Sequence, residues 1–224
     1  MPDNGRVTQP SIAARSWTVI VPVKATSRGK SRIAVDPMLR RQVAIALVTD
    51  TVTAAAAATA VAEVVVVADD RGDGGLFSAI PGVRVRLTDA ASLNTAIADG
   101  TAGISGPVAV LPGDLPGLTG PELDAVLAMV GSAGHPLVVV ADRQGTGTTL
   151  LAAVDPARLR PLYGPDSYRR HLAAGAHGLE LPDDSWIRRD VDTVADLAQI
   201  TAGRTGELAD VVLGRTSAGA ERIC

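Results

Sequence analysis

Short β-branched runs separated by longer Ala- and Leu-rich stretches constrain this chain more than any other feature. Residues 17–24 read Trp-Thr-Val-Ile-Val-Pro-Val-Lys and residues 63–68 read Glu-Val-Val-Val-Val-Ala; 107–111 and 136–141 repeat the pattern. Such runs are nearly continuous in apolar character, which predicts strands buried on both faces. Between them, Leu39, Val43, Ala46 and Leu47 fall at helical spacing within a stretch from Met38 to about Ala60, entered at Asp36 or Pro37. Ser92 is a candidate N-cap for a helix over 92–104. Thr119, with Glu122 three residues on, predicts a capping box for a helix over 118–130. Val83–Leu87 alternates like a strand with one wet face, after a glycine-rich turn at 71–75 and a weaker helix or loop. This alternation predicts an α/β fold with a mostly parallel sheet covered by helices on both faces.

The rhythm changes after residue 141. Thr148–Val154 reads as a strand with no helix directly before it, and 164–174 as loop and helix ended by a left-handed Gly175. Trp186–Asp192 reads as a last strand and 193–200 as a helix. The expectation is a mixed sheet with an insertion in its second half. One domain over 17–204 suits 224 residues, with a disordered N-terminal tail at 1–16 and a C-terminal tail at 205–224, where 208–213 could add a helical turn.

Composition removes several function classes. Lys plus Arg is 21 and Asp plus Glu is 24, a net charge of −3, so no basic excess exists to displace phosphate counterions and no nucleic-acid partner is expected. Two Trp, two Tyr and one Phe are too few for a base-stacking platform. The single cysteine, Cys224, rules out an internal disulfide and a cysteine zinc site, and His135, His171 and His177 lack the spacing of a histidine one. Residues 1–16 lack the apolar core of a secretory signal, and the apolar stretch 54–68 is broken by Glu63. No membrane partner is expected, and the cytoplasm is the expected location.

In an open α/β sheet, ligands bind beyond the carboxyl ends of the strands. Lys24, Ser27, Arg28, Lys30 and Arg32 follow the first run there, and Lys24 and Lys30 are the only lysines in the chain. Asp69 and Asp70, Asp114, Asp142, and Asp190 with Asp192 follow later runs. Cations on one loop and carboxylates on others suit a polyphosphate with a divalent metal. Gly29-Lys30-Ser31 is not a P-loop, because Lys24 stands where the first glycine would be, and no Gly-x-Gly-x-x-Gly follows any strand. Leu111-Pro-Gly-Asp-Leu-Pro116 is the sharpest signal: prolines on both sides restrict the backbone around Asp114. A rigidly placed carboxylate suits Mg²⁺; the same residues also suit a turn in which Asp114 satisfies backbone donors. Asp190 and Asp192 share one face of an extended segment, where they fit a metal site; Asp192 or Thr193 also fits as the cap of the helix over 194–200. Gly145-Thr-Gly-Thr-Thr149 would let backbone N–H groups approach a ligand, and Gly164–Ser167 with Arg169, Arg170 and His171 offers a second small anion pocket. Both also fit ordinary turns. Asp69 and Asp70 read as turn residues, and His135 and His177 as incidental.

Taken in order, Pro22-Val-Lys24 with Gly29–Arg32, Leu93–Ile97, Gly113–Pro116, Ala141–Thr148, Tyr163–Leu172 and Asp190–Thr193 resemble the 2-phospho-L-lactate/phosphoenolpyruvate guanylyltransferases of coenzyme F-420 biosynthesis. The resemblance runs from about residue 17 to 200. It implies a single-domain, Rossmann-like nucleotidyltransferase fold of the glycosyltransferase-A kind, with GTP as substrate and Mg²⁺ as cofactor. It implies metal ligation by Asp114, Asp190 and Asp192, nucleotide contacts from Lys24, Lys30, Arg32 and Asn94, and acid binding by Thr148, Gly164 and Ser167. Asp114, Lys24 and Lys30 would be catalytic. It allows a homodimer and hand-over of product to the next enzyme of the pathway. Two positions depart from the family: Val194 stands where proline is frequent, and Asp166 where a small residue is common.

Phosphoenolpyruvate is the favoured acceptor, because the Ala- and Arg-rich, Lys-poor composition resembles the branch that uses it; 2-phospho-L-lactate is the alternative. Two other readings stay open: the same scaffold acting on molybdopterin or a sugar phosphate, and a non-catalytic nucleotide-binding module.

Overall fold

The computed structural model describes residues 16–23, 33 and 35–215. The β-branched runs are strands: β1 (Trp17–Val23), β2 (Val61–Ala68), β3 (Val83–Leu87), β4 (Val108–Val110), β5 (Val138–Ala141) and β6 (Thr148–Ala153). A two-residue strand, β7 (His177–Gly178), was not anticipated; it is too short to carry a pattern. The intervening stretches are α1 (Pro37–Ala57), α2 (Arg71–Phe77), α3 (Leu93–Thr101), α4 (Gly120–Ser132), α5 (Ser167–Ala173), α6 (Val194–Leu197) and α7 (Gly203–Val212). One seven-stranded sheet runs in the order β3-β2-β1-β4-β6-β5-β7. Every pairing is parallel except those of β6, which runs against both β4 and β5. The mixed sheet follows from the missing helix between β5 and β6: a short loop can only return the chain antiparallel.

Alternate strand residues build two cores. Val19, Val21, Val64 and Val66 face α1 and α4 through Val52, Leu123 and Leu127. Ile20, Val65 and Val67 face the opposite way, against Ile97 of α3. Gly100 of α3 sits directly on that face, since a Cβ there would lie 2.5 Å from Val67 Cγ2.

Helix starts follow their capping residues. Asp36 accepts from Met38 N at 2.8 Å with Pro37 behind it, and Ser92 accepts from Thr95 N at 3.1 Å. Thr119 accepts from Glu122 N at 3.4 Å, but Glu122 Oε1 takes Ile187 N–H at 3.1 Å instead of reaching back, so the expected capping box is only half formed. The full box lies at α6, between Thr193 and Asp196.

Other expectations need correction. The glycine-rich 71–75 turn is part of α2, anchored by the fully buried Phe77. The expected strand over 186–192 is a 3-10 turn, Trp186–Arg188, followed by chain without regular structure outside the sheet. The residues expected as a C-terminal tail from 205 are helical to Val212. α7 packs along α1 with Thr205 and Ala209 fully buried, so α1 is covered by the sheet on one side and by Val191, Leu197, Ile200 and Ala209 on the other. Ala202 cannot cap α7 with its own side chain. Asp50 of α1 does so instead, accepting from Arg204 N at 3.2 Å and Thr205 N at 2.8 Å. The N-terminal tail, Lys24–Arg32 and the last nine residues lie outside the described residues.

Candidate active site

Leu111 follows β4, and its N–H donates to Ile20 O at 3.0 Å and so keeps the chain beside β1 into the Pro112–Pro116 turn. That turn hangs from α1. Thr51, fully buried, donates to Leu47 O at 2.9 Å and accepts from Leu115 N at 2.9 Å. Thr51→Val keeps the shape and orphans the Leu115 N–H, so chemical denaturation should show a loss of about 1–3 kcal/mol.

The segment after the Trp186 turn is tied to the same place by side chains. The Trp186 ring lies against Gly117, where a Cβ would come within 2.2 Å of it, and the Arg189 guanidinium sits 4.7 Å from the ring centroid. Val191 N–H then donates to Asp114 O at 3.1 Å. Asp190 and Asp192, on either side of Val191, meet Asp114 here. Carboxylate oxygens of Asp114, Asp190 and Asp192 lie within 4.8 Å of one another, all three groups half-buried. Like charges this close repel by on the order of 3 kcal/mol per pair at a surface-like dielectric. A hard divalent cation offsets that repulsion, and an all-oxygen donor set is what Mg²⁺ takes.

A cavity of about 540 Å³ opens over the carboxyl ends of β1 to β3, lined by Pro22, Val23, Asp69, Thr88, Asp89 and Ser92 among others. Its size is that of an ordinary small-molecule site. In the sequence Asp69 fits a turn, and Thr88 and Asp89 belong to no motif; only the sheet order, which sets β1 to β3 side by side, brings them to one cavity. Asn94 does not line this cavity. Its Oδ1 accepts from Tyr163 N at 2.8 Å and its Nδ2 donates to Tyr163 O at 3.2 Å, so it clamps the approach to Gly164.

On the other side of Asp114 in sheet order is a cluster of buried hydroxyls. Val140 pairs with Leu150 but Ala141 pairs with Thr148, so Thr148 and Thr149 together oppose one residue. This bulge turns Thr148 toward α5. There Ser167 Oγ lies 3.0 Å from Thr148 Oγ1, and His171 Nδ1 lies 3.0 Å from the same oxygen. Gly164 has φ +123°, a backbone conformation that favours glycine, and the Arg170 guanidinium stands 2.9 Å from where a Cβ would lie. Of the two readings open for the Gly145–Gly147 loop, the structure shows the turn. Asp142 Oδ1 accepts from Thr146 N at 2.9 Å and Oδ2 from Gly147 N at 2.7 Å, so these N–H groups hold the β5–β6 connection together.

Burial, reinforced by the neighbouring Arg170 charge, lowers the pKa of His171 from the usual 6.5 to about 4. The unfolded chain therefore takes up this proton first as pH falls. Stability contributed by the neutral ring is complete above about 6.5 and is lost toward 4. Between pH 7 and 5 the wild-type melting temperature should fall further than that of His171→Gln.

Of the residues singled out from sequence, the structure brings together Asp114, Asp190 and Asp192, and separately Thr148 and Ser167 with Gly164 close by. Lys24, Lys30 and Arg32 lie outside the described residues. A carboxylate cluster at the carboxyl ends of a mixed sheet, with a cavity on one side in sheet order and a buried hydroxyl cluster on the other, has the build of a nucleotidyltransferase. Solved structures share the fold. A crystal structure from Desulfovibrio desulfuricans G20, provisionally described as a nucleotide-diphospho-sugar transferase, matches with a TM-score of 0.65 at 17% identity, covering 90% of this chain and 98% of that one. A CMP:2-keto-3-deoxy-manno-octonic acid synthetase matches with a TM-score of 0.53 at 16% identity, covering 82% and 96%. The family described as Guanylyl transferase CofC like matches residues 17–212, and the chain belongs to it. A phosphoenolpyruvate guanylyltransferase of Streptomyces coelicolor is 40% identical over 206 residues, covering 89% of this chain and 96% of its own.

Proposed function

We propose that this protein transfers GMP from GTP to the phosphate of phosphoenolpyruvate, releasing pyrophosphate, as a step of coenzyme F-420 biosynthesis in the cytoplasm. The observation that carries the reading is the meeting of Asp114, Asp190 and Asp192, with a cavity over β1–β3 on one side in sheet order and the buried hydroxyl cluster of β6 and α5 on the other. The acceptor assignment is supported by relatives that carry that name at about two-fifths identity over most of their length.

The chemistry needs no general base. A phosphate monoester has its second pKa near 6, so its oxygen is already anionic at neutral pH. That oxygen forms a bond to the α-phosphorus of GTP while the bond from the α-phosphorus to the bridging oxygen breaks, and pyrophosphate leaves with the electron pair. The barrier lies in bringing two anions together, so catalysis is charge placement and alignment. Asp114, Asp190 and Asp192 would hold Mg²⁺, which neutralises phosphate charge when bound. Thr148, Gly164 and Ser167 would seat the acid, and Lys24, Lys30 and Arg32 would face the nucleotide phosphates. The cavity over β1–β3 would take the nucleoside.

The test is a matrix of four nucleoside triphosphates against phosphoenolpyruvate, 2-phospho-L-lactate, 3-phosphoglycerate, molybdopterin and sugar phosphates. Pyrophosphate release and product mass are read with Mg²⁺ present. Product from GTP and phosphoenolpyruvate is expected to dominate. Release with a sugar phosphate or molybdopterin alone, or with none, overturns the proposal.

A further inference from the structure

One buried titratable side chain has no part in the chemistry above. His171 is completely buried, and both ring nitrogens are engaged. Nε2 accepts from Leu162 N at 2.9 Å, and Nδ1 lies 3.0 Å from Thr148 Oγ1. A backbone N–H can only donate, so Nε2 carries no proton. Burial and the Arg170 charge keep the ring neutral, so its single proton is on Nδ1. The Tyr163 ring meets the imidazole edge-on at 5.3 Å and fixes its plane.

This tautomer decides what the pocket can offer. His171 Nδ1, Thr148 Oγ1 and Ser167 Oγ are joined by two contacts of 3.0 Å each. With the proton on Nδ1 the three groups hold three hydrogens. Two fill the contacts, and one hydroxyl hydrogen remains to point out of the cluster. With Nδ1 as an acceptor there would be only two hydrogens for two contacts, and the pocket would present lone pairs alone. An acceptor-only surface repels an anion; a spare donor binds one.

We propose that His171 is the positioning residue of the acid pocket: held by the Leu162 N–H as the Nδ1–H form, it obliges the Thr148–Ser167 pair to turn one hydroxyl hydrogen toward an anionic oxygen of the bound acid. The role rests on the reading that Thr148 and Ser167 seat that acid. It explains why a fully buried histidine stands one helical turn after Ser167 on α5, where an apolar residue would fill the space without a polar cost.

Two near-isosteres separate positioning from mere support. Asn can place a donor where Nδ1–H stands but loses the acceptor for Leu162 N–H. Gln can accept from Leu162 but places no donor at Thr148. With GTP and phosphoenolpyruvate, His171→Gln should melt near the wild type, keep the KM for GTP, and raise the KM for phosphoenolpyruvate about tenfold. His171→Asn should melt lower yet restore most of that KM. A phosphoenolpyruvate KM that is unchanged in His171→Gln, or that simply follows melting temperature across the two variants, overturns the role. Nitrogen-15 shifts of the wild-type histidines at pH 7 give a reading that needs no variant: an unprotonated Nε2 and protonated Nδ1 at His171 are expected, and the reverse tautomer or a charged ring contradicts the proposal. Thr148→Val separates the underlying reading. If it leaves the phosphoenolpyruvate KM untouched, the pocket assignment fails whatever His171 does.

Discussion

Asp114→Asn lowers the rate of pyrophosphate release by about 10²–10³-fold, the effect of removing one well-placed electrostatic group. The fold survives, because the turn that carries Asp114 is held by backbone groups. Leu115 N–H donates to Thr51, Leu111 N–H to Ile20 O, and Val191 N–H to the Asp114 carbonyl, none through the carboxylate. Asn keeps the volume and removes the charge, so circular dichroism should match the wild type, and melting should not fall below it, while turnover collapses. Near-wild-type turnover in a folded Asp114→Asn protein removes Asp114 from the mechanism.

The second large effect comes from a glycine that carries no chemistry. A Cβ at Gly117 would stand 2.2 Å from Trp186 Cε3, and the ring cannot retreat freely with Arg189 at 4.7 Å from its centroid. Gly117→Ala must therefore shift the Trp186 turn and, with it, the chain that leads to Asp190 and Asp192. Overpacking of this kind costs about 1–3 kcal/mol of stability. A displacement of about 1 Å at reacting groups can cost on the order of 10² in rate, so kcat should fall by about that factor. Adding Trp186→Leu relieves the clash, and the double variant should regain part of the lost rate. If Gly117→Ala turns over like wild type, the Gly117–Trp186–Arg189 stack does not set the carboxylate spacing.

Much of this architecture is readable from the sequence because the physics is local. β-branched runs such as Val64–Val67 have few alternatives to a buried strand, and Asp36, Ser92, Thr193 and Gly175 mark helix ends by their own hydrogen bonds or backbone freedom. Asp114, Asp190 and Asp192 are legible for a related reason, since each stands where a turn or a helix start fixes the backbone. What the sequence hides depends on residues far apart along the chain. Trp186–Asp192 has strand-like composition, yet the Ile187 and Val191 N–H groups go to Glu122 and Asp114, those of Arg188 and Arg189 close the 3-10 turn, and that of Asp192 goes to Asp196, none to a ladder. α7 looks like a frayed end until Asp50, 154 residues earlier than Arg204, supplies its cap. The β6 bulge that turns Thr148 toward Ser167 exists only in the pairing with β5. Gly147 resembles a ligand-binding glycine, but a Cβ there would meet Asp142 Oδ2 at 2.5 Å, so its smallness serves the loop. Asn94 belongs to the matching motif, but its partner is the Tyr163 backbone, 69 residues away.

The account turns on three aspartates gathering around one divalent ion at the reacting phosphates. Anomalous diffraction from crystals grown with Mn²⁺ and GTP measures this directly. A single manganese peak within bonding distance of Asp114 and of Asp190 or Asp192, and touching the triphosphate, is the predicted result. A peak elsewhere, or a triphosphate bound with these three carboxylates out of reach of it, contradicts it.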